Sequence, residues 1–192
     1  AIDKETHSYE DKYFYEILDY LRPGDVLVRN NTKVIPARLL GIKEGTGAKC
    51  ELLLLHQIEG DVWECLCKPA KSLKEGAIVS FGDGRLKAEC VKIKGEGLRD
   101  FRFIYNGIFL EVLDQLGKMP LPPYIAKQLC SNDRYQTVYA KFEGSAAAPT
   151  AGFHFTEELF EKLKAQGVEV VDVTLHIGLG TFRPVKVEDT KD

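Results

Sequence analysis

The sequence predicts an α/β domain that is interrupted by a small antiparallel β-barrel. The middle of the chain carries short β-rich runs separated by glycine-containing turns, which is typical of a small all-β unit. Both ends alternate between helical and strand patterns, which is typical of an α/β unit. We therefore expect residues 1–42 and 107–192 to form the two parts of the α/β domain, and residues 43–106 to form the barrel.

The first part of the predicted α/β domain begins with a helix. Phe14, Ile17, Leu18 and Leu21 recur at i, i+3, i+4 and i+7, and Pro23 and Gly24 then end the pattern. A short strand over 26–29, a turn at Asn30-Asn31 and a second strand over 34–40 follow. Pro36 lacks a backbone N–H, so we expect this second strand at a sheet edge.

The barrel is predicted to have five or six antiparallel strands, from evenly spaced β-rich runs over 50–55, 62–67, 77–81, 85–93 and 98–105. Gly82-Asp83-Gly84 is the clearest hairpin turn, because these residues tolerate positive φ. A helix over 108–116, ended by Gly117, follows the barrel.

The C-terminal part predicts a second helix and a strand. Thr156 is placed to cap this helix, and Glu157 and Glu158 suit its positive N-terminal end. The β-branched run over 168–174 predicts a buried parallel strand. The segment over 135–140 fits either a strand or a short helix.

Composition and charge exclude several classes of protein. The net charge of −3 does not favour polyanions, and no apolar run approaches the length of a membrane span. The five cysteines are odd in number, scattered and without a CxxC pair, which favours reduced thiols over disulfides or a metal site. Arg29, Lys33, Arg38 and Lys43, and then Lys68, Lys71 and Lys74, form either a local basic patch or ordinary solvated strand ends.

Two loops carry the residues that predict a site. The first loop, 146–155 (AAAPTAGFHF), and the second loop, 174–184 (TLHIGLGTFRP), each combine glycine, threonine, an aromatic ring and one histidine. Gly178-Leu179-Gly180 alone does not predict a dinucleotide site, because Arg183 stands where a third glycine would fall. His154 fits a helix-capping role as well as it fits catalysis.

Five ordered blocks carry a resemblance to a known family: RPGDVLVRNNTKVIPARLLG, MPLPPYI, YQTVYA, AAPTAGFHF and VTLHIGLGTFRPV. Together they closely resemble S-adenosylmethionine:tRNA ribosyltransferase-isomerases of queuosine biosynthesis, over essentially all 192 residues. The resemblance implies transfer and isomerisation of the ribosyl part of S-adenosylmethionine onto the 7-aminomethyl-7-deazaguanine at the tRNA wobble position. The products are epoxyqueuosine-tRNA, adenine and methionine.

The resemblance also suggests roles for individual residues. We expect His154 and His176 to be the acid–base groups of catalysis. The expected S-adenosylmethionine contacts are Thr150, Gly152, Phe153, Phe155, Gly178, Gly180, Thr181 and Tyr124. The expected tRNA contacts are Asn30, Thr32, Lys33, Arg38, Lys68 and Lys71. We expect S-adenosylmethionine to be consumed as a substrate, with no metal or other cofactor, by a monomeric cytoplasmic enzyme.

The chain departs from the family pattern at several points. Asn30-Asn31-Thr32-Lys33 stands where Asn-Asp-Thr-Arg is common, and Phe153 stands where leucine is usual. Family members extend further at both ends, and a His-Met-His-Ser-Glu block is expected beyond residue 192, so we expect this chain to lie inside a longer protein. Two other functions stay open: a non-catalytic RNA-binding module and an S-adenosylmethionine-dependent methyltransferase.

Overall fold

The computed structural model describes residues 1–95, 97–121 and 132–178. The chain begins with a hairpin of β1 (Ile2–Asp3) and β2 (Ser8–Tyr9), followed by a 3₁₀-helix over Phe14–Asp19. The predicted helix over 14–21 is therefore a shorter 3₁₀-helix. Its apolar face is nevertheless used as expected, because Phe14 and Leu18 pack against the buried side chains of the C-terminal helix.

Two parallel strand pairs connect the two ends of the chain. β3 (Val26–Asn30) and β4 (Thr32–Val34) precede the barrel, and β11 (Phe142–Ser145) and β12 (Glu169–Val173) follow it. β3 pairs with β12, and β4 pairs with β11. The predicted turn at Asn30-Asn31 is wrong, since the chain runs directly from β3 into β4. The Asn31 amide donates to the Val173 carbonyl and so continues the pairing.

The middle of the chain forms a closed antiparallel barrel, as predicted. The strands are β5 (Arg38–Lys43), β6 (Lys49–Glu59), β7 (Val62–Lys68), β8 (Ile78–Phe81), β9 (Leu86–Gly95) and β10 (Leu98–Tyr105). Their order around the barrel is β10-β7-β6-β5-β8-β9. Side chains buried in this core include Leu39, Leu52, Leu54, Cys65, Val79, Leu86, Ala88, Cys90 and Phe101.

The start of the barrel differs from the sequence prediction. The single strand predicted over 34–40 is two strands, because Pro36 lies between β4 and β5 and has no N–H to continue a ladder. β5 then pairs with β6 and β8, so barrel structure begins at Arg38, ahead of the predicted boundary at residue 43.

Helix α1 (Phe109–Leu116) follows the barrel, as predicted, and covers part of it. The Phe109 ring lies 5.1 Å from the rings of Phe103 and Tyr105, between centroids. The segment that follows α1 lies beside the residue at which the chain enters the barrel. The Arg38 amide donates to the Lys118 carbonyl (3.0 Å) and the Lys118 amide donates to the Arg38 carbonyl (2.8 Å).

Helix α2 (Glu157–Ala165) packs on the β3–β12 pair and confirms the second predicted helix. Thr156 caps it, since its hydroxyl accepts the Leu159 amide at 3.1 Å. β12 is parallel as predicted but is not buried: Val171 and Val173 are both 37% exposed. Residues 135–140 form neither predicted element, because a 3₁₀-helix covers Asn132–Tyr135 and irregular chain follows.

The cysteines of the described residues lie inside or against the barrel. Cys50, Cys65, Cys67 and Cys90 are buried free thiols, and Cys130 lies outside the described residues. Burial raises the pKa of the Cys65 thiol well above its usual value, so this group behaves as a small apolar side chain. No helix of the described residues has both the length and the apolar character needed to cross a membrane.

Candidate functional site

A cleft of about 870 Å³ lies between the barrel and the parallel strands. The barrel and α1 supply one wall, from β6, β7, β10 and the start of the helix. β11 and the first residues of the second loop supply the other. The lining residues are Ile35, Leu55, His56, Gln57, Trp63, Glu64, Leu98, Phe109, Leu110, Glu143, Gly144, His176, Ile177 and Gly178. The cleft is therefore mostly apolar, with two histidines and two carboxylates as its ionisable groups.

His176 is held in this cleft by β4 and β11. Its Nδ1 lies 2.8 Å from the Thr32 hydroxyl, and Thr32 is only 1% exposed. The ring rests against Gly144: a Cβ at that position would stand 2.9 Å from both Cε1 and Nε2. The His176 side chain is thus fixed on one edge and on one face.

The second loop is fixed by side chains of the strands beside it. The Asn30 amide group donates to the Leu175 carbonyl (2.8 Å) and accepts from the Leu175 amide (3.0 Å). Asn31 Oδ1 accepts the Thr174 hydroxyl at 2.7 Å. The side chains of Asn30 and Thr32 thus hold the second loop and His176 in place. Thr32 is buried, which disfavours the direct tRNA contact predicted for it.

Ile177 of the second loop is bonded to Ala146, the first residue of the first loop, and to Ser145, the residue before it. The Ala146 amide donates to the Ile177 carbonyl (2.9 Å), and the Ile177 amide donates to the Ser145 hydroxyl (2.9 Å). This contact brings the start of the first loop to the cleft. Gly178 also lines the cleft, with open space where a Cβ would stand, so the close approach predicted there is sterically free.

His154 lies elsewhere. It ends a 3₁₀-helix over Thr150–His154, and its ring stacks on Phe14 with centroids 4.9 Å apart. Among the described residues, His154 is not part of the cleft lining. Thr156, not His154, caps α2, so the capping role considered for this histidine is wrong. The structure places His176, but not His154, in the cleft.

Other residues predicted to hold S-adenosylmethionine serve packing. A Cβ on Gly152 would collide with the Tyr139 hydroxyl, so this glycine makes room for Tyr139. Phe155 lies between the rings of Phe14 and Phe160, at 4.8 and 4.9 Å, and Phe153 contacts Tyr135 edge-on at 5.6 Å. Thr150 is exposed at the start of its short helix. Tyr124, Gly180 and Thr181 lie outside the described residues.

The predicted basic residues divide between two places. Arg38 and Lys68 line an outer groove of the barrel with Glu51, whose carboxylate lies 3.4 Å from Arg38 Nε. Lys71 is exposed in the 3₁₀-helix that follows Lys68. Lys33 instead pairs with Glu143 at 2.9 Å, at the rim of the cleft.

Sequence reasoning missed the barrel wall of the cleft. Five residues of this wall and rim were not among the predicted site residues: His56, Trp63, Glu64, Phe109 and Glu143. One signal was available: a hairpin turn at Glu59-Gly60-Asp61 places the residues on either side of it opposite one another. Across the described residues, no group of three or more His, Cys, Asp or Glu side chains has the geometry to hold a metal ion.

Comparisons with known proteins identify relatives of the chain. A family model described as queuosine biosynthesis protein matches residues 1–192. Among solved structures, the chain is similar to a crystal structure of S-adenosylmethionine tRNA ribosyltransferase from Thermotoga maritima, at 31% identity over 92% of this chain and 49% of that chain. The TM-score of this comparison is 0.38. The chain spans about half the length of this relative.

Proposed function

Because the chain belongs to the queuosine biosynthesis protein family, we propose that it acts as an S-adenosylmethionine:tRNA ribosyltransferase-isomerase. The family match over residues 1–192 is the observation that carries this proposal. The reaction transfers the ribosyl part of S-adenosylmethionine to the aminomethyl group of 7-aminomethyl-7-deazaguanine at the wobble position of tRNA. The ribosyl group rearranges to an epoxycyclopentanediol, and adenine and methionine leave.

The proposed architecture is an α/β domain in two parts, 1–37 and 107–192, with the barrel over 38–106 between them. Pairing of β3 with β12 and of β4 with β11 supports it, because strands before and after the barrel belong to the same pairs. In this arrangement, the cleft lies where the two units face each other. Such junctions are common positions for small-molecule sites.

The cleft is the proposed site of S-adenosylmethionine. Its volume of about 870 Å³ suits a ligand of this size, and apolar walls with a few polar groups are typical of such sites. Aromatic rings attract a sulfonium cation, and Trp63 and Phe109 are the proposed aromatic contacts because both line the cleft on the barrel side. A contact of Phe153 or Phe155 with the cation stays a prediction.

The chemistry calls for one group that accepts a proton and one that donates a proton. The sulfonium acidifies the neighbouring C5′ hydrogens, so a modest base can begin the rearrangement, and a proton donor then assists the departure of adenine. His176 is the proposed acid–base group of the second loop, because Thr32 and Gly144 fix its ring in the cleft. A catalytic role for His154 stays a prediction.

Transfer RNA is the proposed second substrate. The wobble base must leave its stack to reach the cleft, and basic side chains must hold the anticodon backbone. Arg38, Lys68 and Lys71 are the proposed contacts on the barrel surface, and Lys33 is proposed at the cleft rim. The reaction consumes S-adenosylmethionine and calls for no metal or redox cofactor; a monomeric cytoplasmic enzyme is part of this proposal.

Product analysis tests the proposal. The full chain, mixed with S-adenosylmethionine and precursor tRNA, should release adenine and methionine in equal amounts. S-adenosylhomocysteine would instead identify a methyltransferase, and tRNA binding without turnover would identify a binding module. His176→Ala should abolish turnover while tRNA affinity is kept, whereas the matched change His7→Ala, in the β1–β2 hairpin, should alter neither.

A further inference from the structure

A β-bulge sets the position of His56 on the barrel wall of the cleft. In the β6–β7 register, Leu54 lies opposite Cys65 and His56 lies opposite Glu64. Leu55 therefore has no partner on β7 and is the extra residue of the bulge. Bulges re-aim side chains and are frequent beside active sites.

The bulge reverses the inside–outside alternation at His56. Leu52 and Leu54 point into the barrel, at 0% and 1% exposure. With regular alternation, His56 would point into the barrel as well. Because Leu55 is inserted, His56 lies instead beside Glu64, which is on the outer side of β7. Its side chain is 61% exposed and lines the cleft.

A chain of charged groups holds the partner of His56. His56 Nδ1 lies 3.5 Å from Glu64 Oε1, and Glu64 Oε2 accepts from Lys94 Nζ at 2.8 Å. Lys94 also contacts the buried Asp100 at 2.9 Å. Hydrogen bonds to Glu64 and Asp100 raise the pKa of Lys94, so the ammonium group stays charged and keeps Glu64 in place.

This arrangement leaves the other ring nitrogen of His56 available. Across residues 1–95, 97–121 and 132–178, no hydrogen-bond partner occurs for His56 Nε2. A carboxylate 3.5 Å from Nδ1 favours the tautomer that has its proton on Nδ1, and this tautomer leaves the lone pair on Nε2. The charged or titratable groups around the cleft are Glu64 with Lys94 on the barrel side, and Glu143 with Lys33 and His176 on the strand side.

We propose that His56, oriented by Glu64, is the general base on the barrel wall of the cleft and acts opposite His176. The inference rests on the proposed function. In the step it performs, Nε2 takes one C5′ proton of S-adenosylmethionine, and the electron pair of the broken C–H bond stays on the carbon beside the sulfonium. His176 is then the group that donates a proton to the departing adenine.

The test follows tritium from the C5′ position of labelled S-adenosylmethionine, together with adenine release, in the full chain with precursor tRNA. His56→Gln should lower both rates by about 10²- to 10⁴-fold, with the dissociation constant for S-adenosylmethionine unchanged within about twofold. His7→Gln is the matched control and should leave every value unchanged.

Glu64→Gln provides a second variant, because it keeps the size of the carboxylate and removes its charge. We expect a loss of kcat without a loss of S-adenosylmethionine affinity, whereas a purely structural role would lower the melting temperature and leave kcat unchanged. The inference is overturned if His56→Gln releases tritium and adenine at the wild-type rate. An unaltered protein that releases no adenine overturns the proposed function itself, which separates the two failures.

Discussion

Replacement of Gly144 by alanine tests whether the backbone of β11 positions His176. Gly144 has φ of +143°, a conformation that L side chains rarely adopt, and the missing Cβ leaves the space that the imidazole fills. A Cβ would stand 2.9 Å from Cε1 and Nε2 and 3.1 Å from Nδ1. The ring must therefore move by several tenths of an ångström at least, which perturbs the hydrogen bond between the Thr32 hydroxyl and Nδ1.

The expected magnitude follows from two contributions. Backbone strain at a position of this kind costs about 1–3 kcal/mol, and loss of the Thr32–His176 hydrogen bond costs about 0.5–1.5 kcal/mol. We expect the free energy of unfolding to fall by about 1.5–4.5 kcal/mol. Displacement of a catalytic group by about 1 Å lowers turnover by about 10²-fold, and we expect a comparable loss of adenine release.

The assay combines urea unfolding with adenine release from S-adenosylmethionine and precursor tRNA. Gly24→Ala is the matched control, because Gly24 also has positive φ (+92°) but has nothing within 4 Å of its Cβ position. The control should show the strain cost alone, with turnover unchanged. Turnover that is equal in Gly144→Ala and Gly24→Ala would refute the role of Gly144 in placing His176.

Three further predictions concern stability and reactivity. A hydrogen bond from Arg29 lowers the pKa of Asp172. The stability that this bond contributes is therefore present above about pH 4 and is lost as the pH falls through the lowered pKa. Asp172→Asn should flatten this pH dependence of the free energy of unfolding in urea. Thr156→Ala should cost about 1 kcal/mol in urea unfolding and Thr156→Ser much less, because only serine keeps the capping oxygen. In a Cys130→Ser background, Cys65 should react with a thiol reagent only in denaturant, since burial raises its pKa; rapid reaction of the native protein would contradict this.

The barrel was predictable because its evidence is local. Glycine turns and alternating strands between Lys49 and Tyr105 identify hairpins one at a time, and hairpin neighbours pair with each other. Membership of Arg38–Lys43 was not predictable in this way. That strand joins β6 through a turn but also closes on β8, and closure depends on the shape of the whole sheet.

The site was predictable in part for the same physical reason. Glycine and histidine in the second loop identified His176, but whether a histidine faces a cleft or a core depends on partners distant in the sequence. His154 stacks on Phe14, and no pattern near residue 154 records that contact. Asn30 and Thr32 resembled substrate contacts, yet their side chains are used to hold the second loop.

The paired backbone hydrogen bonds between Arg38 and Lys118 have a mechanical consequence for the cleft. They join the segment that enters the barrel to the segment that leaves α1. The Gly117 backbone also packs closely on the Pro36 carbonyl. Because the bonds hold these two connections side by side, any change in the orientation of the barrel relative to the parallel strands would act on both connections at once.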